Sequence, residues 1–196
     1  MKQQGTVQLR FIFMKNRILL IASLSILVFS CIGDPDFSFT PEIGFSKIQV
    51  ITTSSPDILG NVSKRDSVVI SVDFKDGDGD LGFSEEDYKA LIKRTGDSIK
   101  TIDVNIFVAK NGKFVRSNPS EKIGGNLKGF RFKQGSKMGA IEGIIDYSTS
   151  FGYTNFNKIP GLTGKSDTVK FTVQIMDRAL NKSNVTESSP IVLYKK

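Results

Sequence analysis

One stretch of this chain joins an alternating strand to a run of acidic residues, and it limits the possible folds more than any other. Residues 67–74 read SVVISVDF, with an apolar residue at positions 68, 70, 72 and 74. This period of two places those four side chains on one face of a strand. Such a strand needs a sheet with one buried face, so we expect a β-rich domain.

The strand runs directly into an acidic loop, in which Asp76, Asp78 and Asp80 alternate with glycine. Neighbouring carboxylates repel each other by about 1 kcal/mol per close pair even in water. The glycines permit a tight backbone that turns all three toward one point, as a hard cation such as calcium requires. The loop departs from an EF-hand loop at Leu81, where that loop has a glycine. The sequence predicts a calcium site here; the alternative is an acidic turn exposed to solvent.

Residues 1–31 have the features of a leader that ends in a lipoprotein signal peptide. They contain four basic residues and no acidic one, and residues 18–29 are almost entirely apolar. A helix over that run is about 18 Å long, which is too short for a hydrocarbon core of roughly 30 Å. A basic start followed by a short apolar run is typical of a secretory signal. Met14 precedes the basic pair of that signal, so we expect it to be the true start and residues 1–13 to be an artefact of gene annotation.

The residues Val-Phe-Ser-Cys that end at Cys31 resemble the lipobox of bacterial lipoproteins. The resemblance implies that Cys31 carries the lipid, palmitate included, and becomes the new N-terminus. Cys31 is the only cysteine, so no intramolecular disulfide competes for it. We expect a protein that is lipid-anchored in a bacterial outer membrane, on the cell surface or on the periplasmic face. The alternative is a transmembrane anchor followed by an unmodified cysteine.

Composition excludes several kinds of chemistry. Removal of residues 1–31 takes away four basic residues, which leaves 23 Lys and Arg against 20 Asp and Glu, a net charge of +3. The high isoelectric point therefore gives no argument for nucleic acid as a partner. The chain has no histidine, which excludes a Ser-His-Asp triad and a zinc site built on histidine. We expect a protein that is not an enzyme.

Alternating patterns predict the remaining elements. A helix should begin after Ser84, which can cap it, and end at Gly96, with Tyr88, Leu91 and Ile92 on its inner face. Asn111-Gly112 predicts a hairpin with a type I′ turn, and residues 54–57 predict another turn. Residues 32–43 should be a tether and residues 44–196 one domain. The further predicted strands cover residues 45–52, 99–110, 114–115, 129–133, 138–147, 167–176 and 191–194. Short strands separated by turns predict an all-β fold, an antiparallel two-sheet sandwich with one short helix.

Residues 167–184 read DTVKFTVQIMDRALNKSN, which resembles the last hairpin of bacterial immunoglobulin-like and cadherin-like domains, with Leu180 in place of a glycine. Residues 73–82 are similar to a segment found in lipoproteins of the Bacteroidota. These resemblances imply a lipid-anchored, immunoglobulin-like domain. Two function classes follow. The protein is a binding or scaffolding accessory of an outer-membrane assembly, one that handles glycans or secretion, or it is a small metal-dependent hydrolase that acts on glycans or other polymers.

The resemblance also predicts how the acidic site is completed. In an immunoglobulin-like sandwich the second and sixth strands run in the same direction on facing sheets, and residues 67–74 and 167–176 take those places. The loops that follow them should then meet at one end of the domain. Asp177 and the amide oxygen of Asn181 would join the three loop aspartates around calcium.

Two weaker candidates for ligand binding lie elsewhere. Residues 110–137 hold eight basic residues and one acid. They would face an anionic lipid or polymer through Lys128, Arg131 and Lys133, unless the charges simply solvate hairpins. In a segment that we expect to be irregular, Phe151, Tyr153 and Phe156 would stack on sugar rings, unless they cover an open end of the core.

Overall fold

The computed structural model describes residues 35–56, 60–96, 100–117, 123–125, 127, 130–131, 139–154 and 159–195. These residues form an all-β fold with one helix, and those from Asp36 to Lys196 belong to one compact unit. The strands are β1 Glu42–Pro56, β2 Val62–Asp76, β3 Gly82–Phe83, β4 Ile102–Lys110, β5 Lys113–Arg116, β6 Gly124–Gly125, β7 Phe130–Arg131, β8 Ile141–Gly152, β9 Asp167–Ile175, β10 Thr186–Glu187 and β11 Ile191–Leu193; the helix is α1 Glu85–Thr95.

The first main sheet has three antiparallel strands in the order β1-β2-β8. Val68 of β2 lies opposite Val50 of β1 and Thr149 of β8, so the alternating strand is central. The β1–β2 ladder extends to Pro56 opposite Val62, and the turn predicted at residues 54–57 is therefore wrong for residues 54–56. Backbone pairing continues there because proline is tolerated in an edge strand.

The second main sheet is also antiparallel, in the order β10-β9-β4-β5, with β11 on β9 and β6 on β4. Asn111 and Gly112 join β4 to β5 with φ values of 49° and 76°. Both lie in the left-handed region that a type I′ turn requires, so the predicted hairpin is confirmed. A third, two-stranded sheet pairs β3 with β7.

The inward-facing residues of both main sheets belong to one hydrophobic core. In each central strand the predicted period of two is confirmed, because the alternate residues are buried: Val68, Ile70, Val72 and Phe74 in β2, Ile102, Val104, Ile106 and Val108 in β4, and Val169, Phe171, Val173 and Ile175 in β9. Each such side chain contributes about 1.5–3 kcal/mol on burial. This core therefore holds β2 and β9, and the loops that follow them, in fixed positions.

Helix α1 begins with the predicted cap. The Ser84 hydroxyl accepts a hydrogen bond from the amide of Asp87, and the Asp87 carboxylate accepts one from the amide of Ser84, which makes a capping box. Gly96 ends the helix in the left-handed conformation. Tyr88 and Leu91 are buried, but Ile92 is 36% exposed. The prediction that Ile92 shares the buried face is wrong, because this short helix buries only a narrow stripe.

Two strand boundaries differ from the sequence prediction. β8 continues to Gly152, so Phe151 lies in a regular strand rather than in an irregular segment. Its side chain is 3% exposed and packs against Phe171 of the second sheet, with 6.1 Å between ring centroids. β1 begins at Glu42, inside the segment that the sequence assigns to the tether.

Candidate metal site

The acidic loop lies where the central strand of the first sheet ends. β2 ends at Asp76, and β3 begins at Gly82, so the loop that carries Asp78 and Asp80 spans five residues. Gly79 has a φ of 70°, a conformation that side chains disfavour. The alternation of aspartate with glycine thus gives the loop the tight turn that the sequence predicts.

The three aspartates of this loop, Asp76, Asp78 and Asp80, form one cluster. Each supplies a carboxylate oxygen, and these oxygens all lie within 4.8 Å of one another, so the group could hold a metal ion. Asp76 is 0% exposed and Asp80 is 6% exposed, while Asp78 is half-buried. Two of the three carboxylates therefore lie inside the protein, where an isolated charge is costly.

Backbone amides satisfy only part of this cluster. Asp76 Oδ2 accepts a hydrogen bond of 3.2 Å from the amide of Leu81, and Asp80 Oδ2 accepts one of 3.0 Å from the amide of Ala179. The other oxygen of each carboxylate, Asp76 Oδ1 and Asp80 Oδ1, is buried and accepts no hydrogen bond from any described residue. Buried acceptors without a donor are rare in native proteins, and a bound ion is one of the usual reasons for them.

Burial and the neighbouring charges also raise the pKa values of two of these carboxyl groups. Burial, followed by the charges of Asp78 and Asp80, raises the pKa of Asp76 from 3.8 to about 7. Burial, followed by the charges of Asp177 and Asp78, raises the pKa of Asp80 to about 6. Both carboxyl groups therefore favour the protonated form more than an ordinary aspartate does. A bound cation would have the opposite effect and favour the charged form.

As predicted, the loop after β9 meets the acidic loop. The amide of Ala179 is the hydrogen-bond donor to Asp80, and Arg178 donates from Nη1 to the carbonyl oxygen of Gly82 at 3.0 Å. The charge of Asp177 raises the pKa of both Asp76 and Asp80, so this fourth carboxylate adds to the negative potential of the cluster. Two sheets thus contribute to one end of the domain.

Asp177 and Asn181, the other two predicted ligands, form hydrogen bonds with each other. The amide nitrogen of Asn181 donates to Asp177 Oδ1 at 2.7 Å, and its side-chain nitrogen donates to Asp177 Oδ2 at 2.9 Å. Both carboxylate oxygens of Asp177 therefore hold the turn closed. Among the described residues the cluster of metal-binding geometry contains the three loop aspartates and not Asp177.

The segment before β1 packs on the acidic loop, which the sequence does not indicate. The amide of Gly77 donates to the carbonyl oxygen of Ser38 at 2.8 Å. A Cβ on Gly77 would lie 2.2 Å from the carbonyl oxygen of Phe37, so only glycine fits. Lys75 Nζ lies 5.3 Å from the centroid of the Phe37 ring, within range of a cation–π contact. The start of the compact unit is thereby fastened to the cluster.

The structure describes the side chains of only two of the weaker candidates for ligand binding, Phe151 and Tyr153. Phe151 is in the core, as described above, where its ring has no free face for a sugar. Tyr153 is half-buried and donates from its hydroxyl to Asp66 and to the carbonyl oxygen of Lys195. The side chains of Lys128, Arg131 and Lys133, together with Phe156 and the lipidation residue Cys31, lie outside the described residues.

Sequence reasoning also missed a buried aspartate at the other end of β2. Asp66, near the start of β2, is 1% exposed. It accepts hydrogen bonds from the hydroxyl of Thr52 at 2.7 Å, the amide of Tyr194 at 2.6 Å and the hydroxyl of Tyr153 at 3.3 Å. Asp66 lies in a polar run, Ser-Lys-Arg-Asp-Ser, and only its position at the start of an alternating strand could have indicated burial.

Comparisons with known proteins give no further assignment. No family model matches the chain, and neither the curated proteins nor the solved structures contain a match to it. In the part of the chain that the structure describes, no helix has the length and apolar character needed to cross a membrane.

Proposed function

We propose that this protein is a calcium-binding, lipid-anchored accessory of the bacterial outer membrane, whose immunoglobulin-like domain binds or scaffolds other envelope components. One observation carries the calcium site: two buried carboxylate oxygens, on Asp76 and Asp80, have no hydrogen-bond donor among the described residues and belong to one cluster. A cation there would supply the missing partner for both oxygens.

The ligands and their burial favour calcium. Carboxylates are the hard oxygen ligands that calcium prefers, and calcium accepts six to eight oxygens in a flexible geometry. Magnesium demands a near-ideal octahedron and usually keeps several of its waters, whereas two of the three carboxylates here are buried.

A structural ion fits the surroundings better than a catalytic one. The cluster lies where the loops after β2 and β9 meet, and its buried carboxylates point into the protein rather than into a cleft. A cation there would join the two sheets and the segment before β1, and it would give a binding domain a rigid end. The metal-dependent hydrolase stays an untested alternative that no contact at the site favours.

Two features support the remaining parts of the proposal. The meeting of the β2 and β9 loops agrees with the arrangement of the second and sixth strands in an immunoglobulin-like sandwich. The lipobox-like residues before Cys31 support the lipid anchor.

In cells that express Cys31→Ala, the protein should lose palmitate labelling. It should then either be released from the membrane or accumulate in its unprocessed form. Cys31→Ala protein that keeps both its label and its membrane fraction would refute the anchor.

Thermal unfolding of the purified chain tests the calcium site. Calcium at a hundredfold excess over Kd should add about 2.7 kcal/mol to the free energy of unfolding, which raises Tm by roughly 5–10 °C for a chain of this size. Asp78→Asn should remove the increase, since Asp78 completes the cluster. Asp73→Asn is the matched control, because Asp73 is an exposed aspartate of β2 outside the cluster. Equal Tm values with calcium and with chelator in the wild type would contradict the site.

A further inference from the structure

Basic side chains gather at the end of the domain opposite the metal cluster, which we call the basic end. It is formed by the start of β2, the turn between β4 and β5, the start of β9 and the segment after β11. Val108 of β4 lies opposite Val169 of β9, which places the β4–β5 turn beside the start of β9. The amide of Tyr194 donates to the carboxylate of Asp66, which brings the start of β2 to the same end.

Four separate segments thus contribute exposed charges of one sign. The exposed basic residues of this end are Lys64, Arg65, Lys110, Lys113, Lys165 and Lys195. The two acids described there, Asp66 and Asp167, are 1% and 8% exposed and accept hydrogen bonds within the protein. No ion pair joins any of the six basic side chains to a described acid. Lys110 and Lys113 lie directly opposite each other across the hairpin, where like charges repel.

The other end of the domain does not share this one-sided charge. Near the metal cluster, exposed acids such as Asp73 and Glu142 accompany exposed lysines such as Lys75 and Lys182. The two ends are roughly 45–50 Å apart, since β2 runs between them with 15 residues. The excess of positive charge is therefore a property of one end, and it would draw an anionic partner to that end.

Hydroxyl side chains lie among the charges of the basic end. The exposed ones are Thr53, Ser54, Ser55, Ser63 and Ser166. A hydroxyl group both donates and accepts hydrogen bonds, as the hydroxyls of a sugar do. A protein partner would instead depend on aromatic and apolar anchors in buried pockets. Val62 and Val115 are also exposed at this end, so a bilayer surface is the alternative that the experiment must test.

We propose that the basic end binds an anionic polysaccharide, whose acidic groups contact the lysines and the arginine and whose hydroxyls contact the neighbouring serines and threonine. The choice of a polysaccharide over a bilayer rests on the proposed lipid anchor. The chain enters the compact unit at the other end, where the carbonyl oxygen of Ser38 accepts the amide of Gly77. An anchor before that point leaves the basic end facing away from the membrane that holds the protein.

Polygalacturonate is a suitable probe, with its methyl ester as the uncharged analogue. Binding of labelled oligomers to the purified chain is followed by fluorescence anisotropy, in chelator so that calcium plays no part. The chain should bind polygalacturonate saturably and should not bind the ester. The affinity should fall at least tenfold as added salt shortens the Debye length from about 30 to about 8 Å. Binding to vesicles of anionic phospholipid without binding to polygalacturonate would overturn the proposal in favour of a bilayer.

Two triple variants separate the basic end from the net charge of the chain. The first removes one charge from each of three segments of the basic end: Arg65→Gln, Lys113→Gln and Lys165→Gln. The matched control removes three charges near the metal cluster: Lys89→Gln, Lys93→Gln and Lys182→Gln. All six residues are exposed, so both variants should fold.

The first variant should weaken polygalacturonate binding at least tenfold, and the control should change it less than twofold. Equal losses in the two variants, or no saturable binding by the wild type, would overturn the proposal. The calcium-dependent Tm and the palmitate label do not involve these residues. Failure of polysaccharide binding would therefore leave the calcium site and the lipid anchor to their own tests.

Discussion

The two ends of β2 each bury an aspartate, but the protein satisfies only one of them. Asp66, near the start of the strand, accepts three hydrogen bonds, from Thr52 of β1, from Tyr153 just after β8 and from the backbone of Tyr194. Asp76, at the end of the strand, accepts one from Leu81, and its other oxygen has no donor among the described residues. Ten extended residues, about 33 Å, separate these two carboxylates.

The difference shows at which end of the domain a buried carboxylate lacks hydrogen-bond donors. A buried carboxylate with several donors is stable as an anion, whereas one without donors needs a proton or a cation. Near Asp66, Asp167 is likewise supplied, with bonds of 2.8 Å from the amides of Thr163 and Gly164. That end is complete within the protein. The end at Asp76 is where a cation would contribute most.

The same substitution at both ends should have opposite effects. Asp66→Asn replaces one of the two buried acceptor oxygens by a donor, and it should lower the free energy of unfolding by roughly 1–3 kcal/mol. Asp76→Asn removes a buried charge and should be neutral or stabilising in chelator at pH 8. Chemical denaturation measures both, with Asp73→Asn as the exposed control. Equal losses of unfolding free energy in Asp66→Asn and Asp76→Asn would contradict the difference between the two ends.

Without calcium, stability should depend on pH through the acidic end. The folded-state pKa values of Asp76, about 7, and of Asp80, about 6, lie above the usual value of 3.8. The folded protein therefore binds protons that the unfolded chain has released, and the free energy of unfolding should fall as pH rises from 4 to 7. We expect a fall of several kcal/mol in denaturation curves recorded in chelator, since each unit of pKa corresponds to about 1.4 kcal/mol. Asp76→Asn should reduce the fall, and an unchanged slope in that variant would contradict the assignment.

The contact between the acidic loop and the segment before β1 can be broken at one atom. In Gly77→Ala the new methyl group would lie 2.2 Å from the carbonyl oxygen of Phe37, so the segment must move away. We expect a loss of about 2 kcal/mol and faster amide hydrogen exchange near Ser38. Gly44→Ala is the control, because a Cβ there meets nothing within 4 Å. Hydrogen exchange that is identical in the two variants would show that the segment is not held by Gly77.

The smallest effect concerns Leu180, which replaces the glycine expected in the loop after β9. Its φ of 74° lies in the left-handed region, which costs a leucine roughly 1 kcal/mol. Its side chain also packs partly on the core, which offsets this strain. Leu180→Gly should therefore change the free energy of unfolding by less than about 1 kcal/mol. A loss above 2 kcal/mol would mean that core packing by Leu180 dominates.

The sequence predicts the core strands well because their signal is local. Alternation alone identifies the buried residues of β2, β4 and β9, and Asn111-Gly112 identifies its own turn. The extension of the β1–β2 ladder to Pro56 is not predictable in this way, since it depends on backbone pairing between two polar segments. Ile92 is misplaced for a similar reason. Its exposure depends on how little of the chain packs against α1.

The sequence predicts the three aspartates of the candidate site but not the hydrogen bonds of the residues around them. The spacing of aspartate and glycine indicates Asp76, Asp78 and Asp80 directly, and the resemblance of residues 167–184 indicates which loop meets them. The hydrogen bonds between Asp177 and Asn181 belong to the closed turn, and neither the composition nor the spacing of residues 167–184 predicts them. Asp66 gives no sign in the sequence of its partners, because Thr52 lies opposite it only through the β1–β2 pairing and Tyr194 follows β11, far along the chain.

The most direct measurement is a calorimetric calcium titration at pH 6 and at pH 8.5, each in two buffers of different ionisation enthalpy. If the two carboxylate oxygens without donors bind the ion, one calcium binds per chain and displaces one to two protons at pH 6, because the pKa values of Asp76 and Asp80 are about 7 and about 6. At pH 8.5 the same binding should release no proton, and Asp76→Asn should release fewer at pH 6. An absence of calcium binding at both pH values, or a proton release that is the same at both, would contradict a cation held by Asp76 and Asp80.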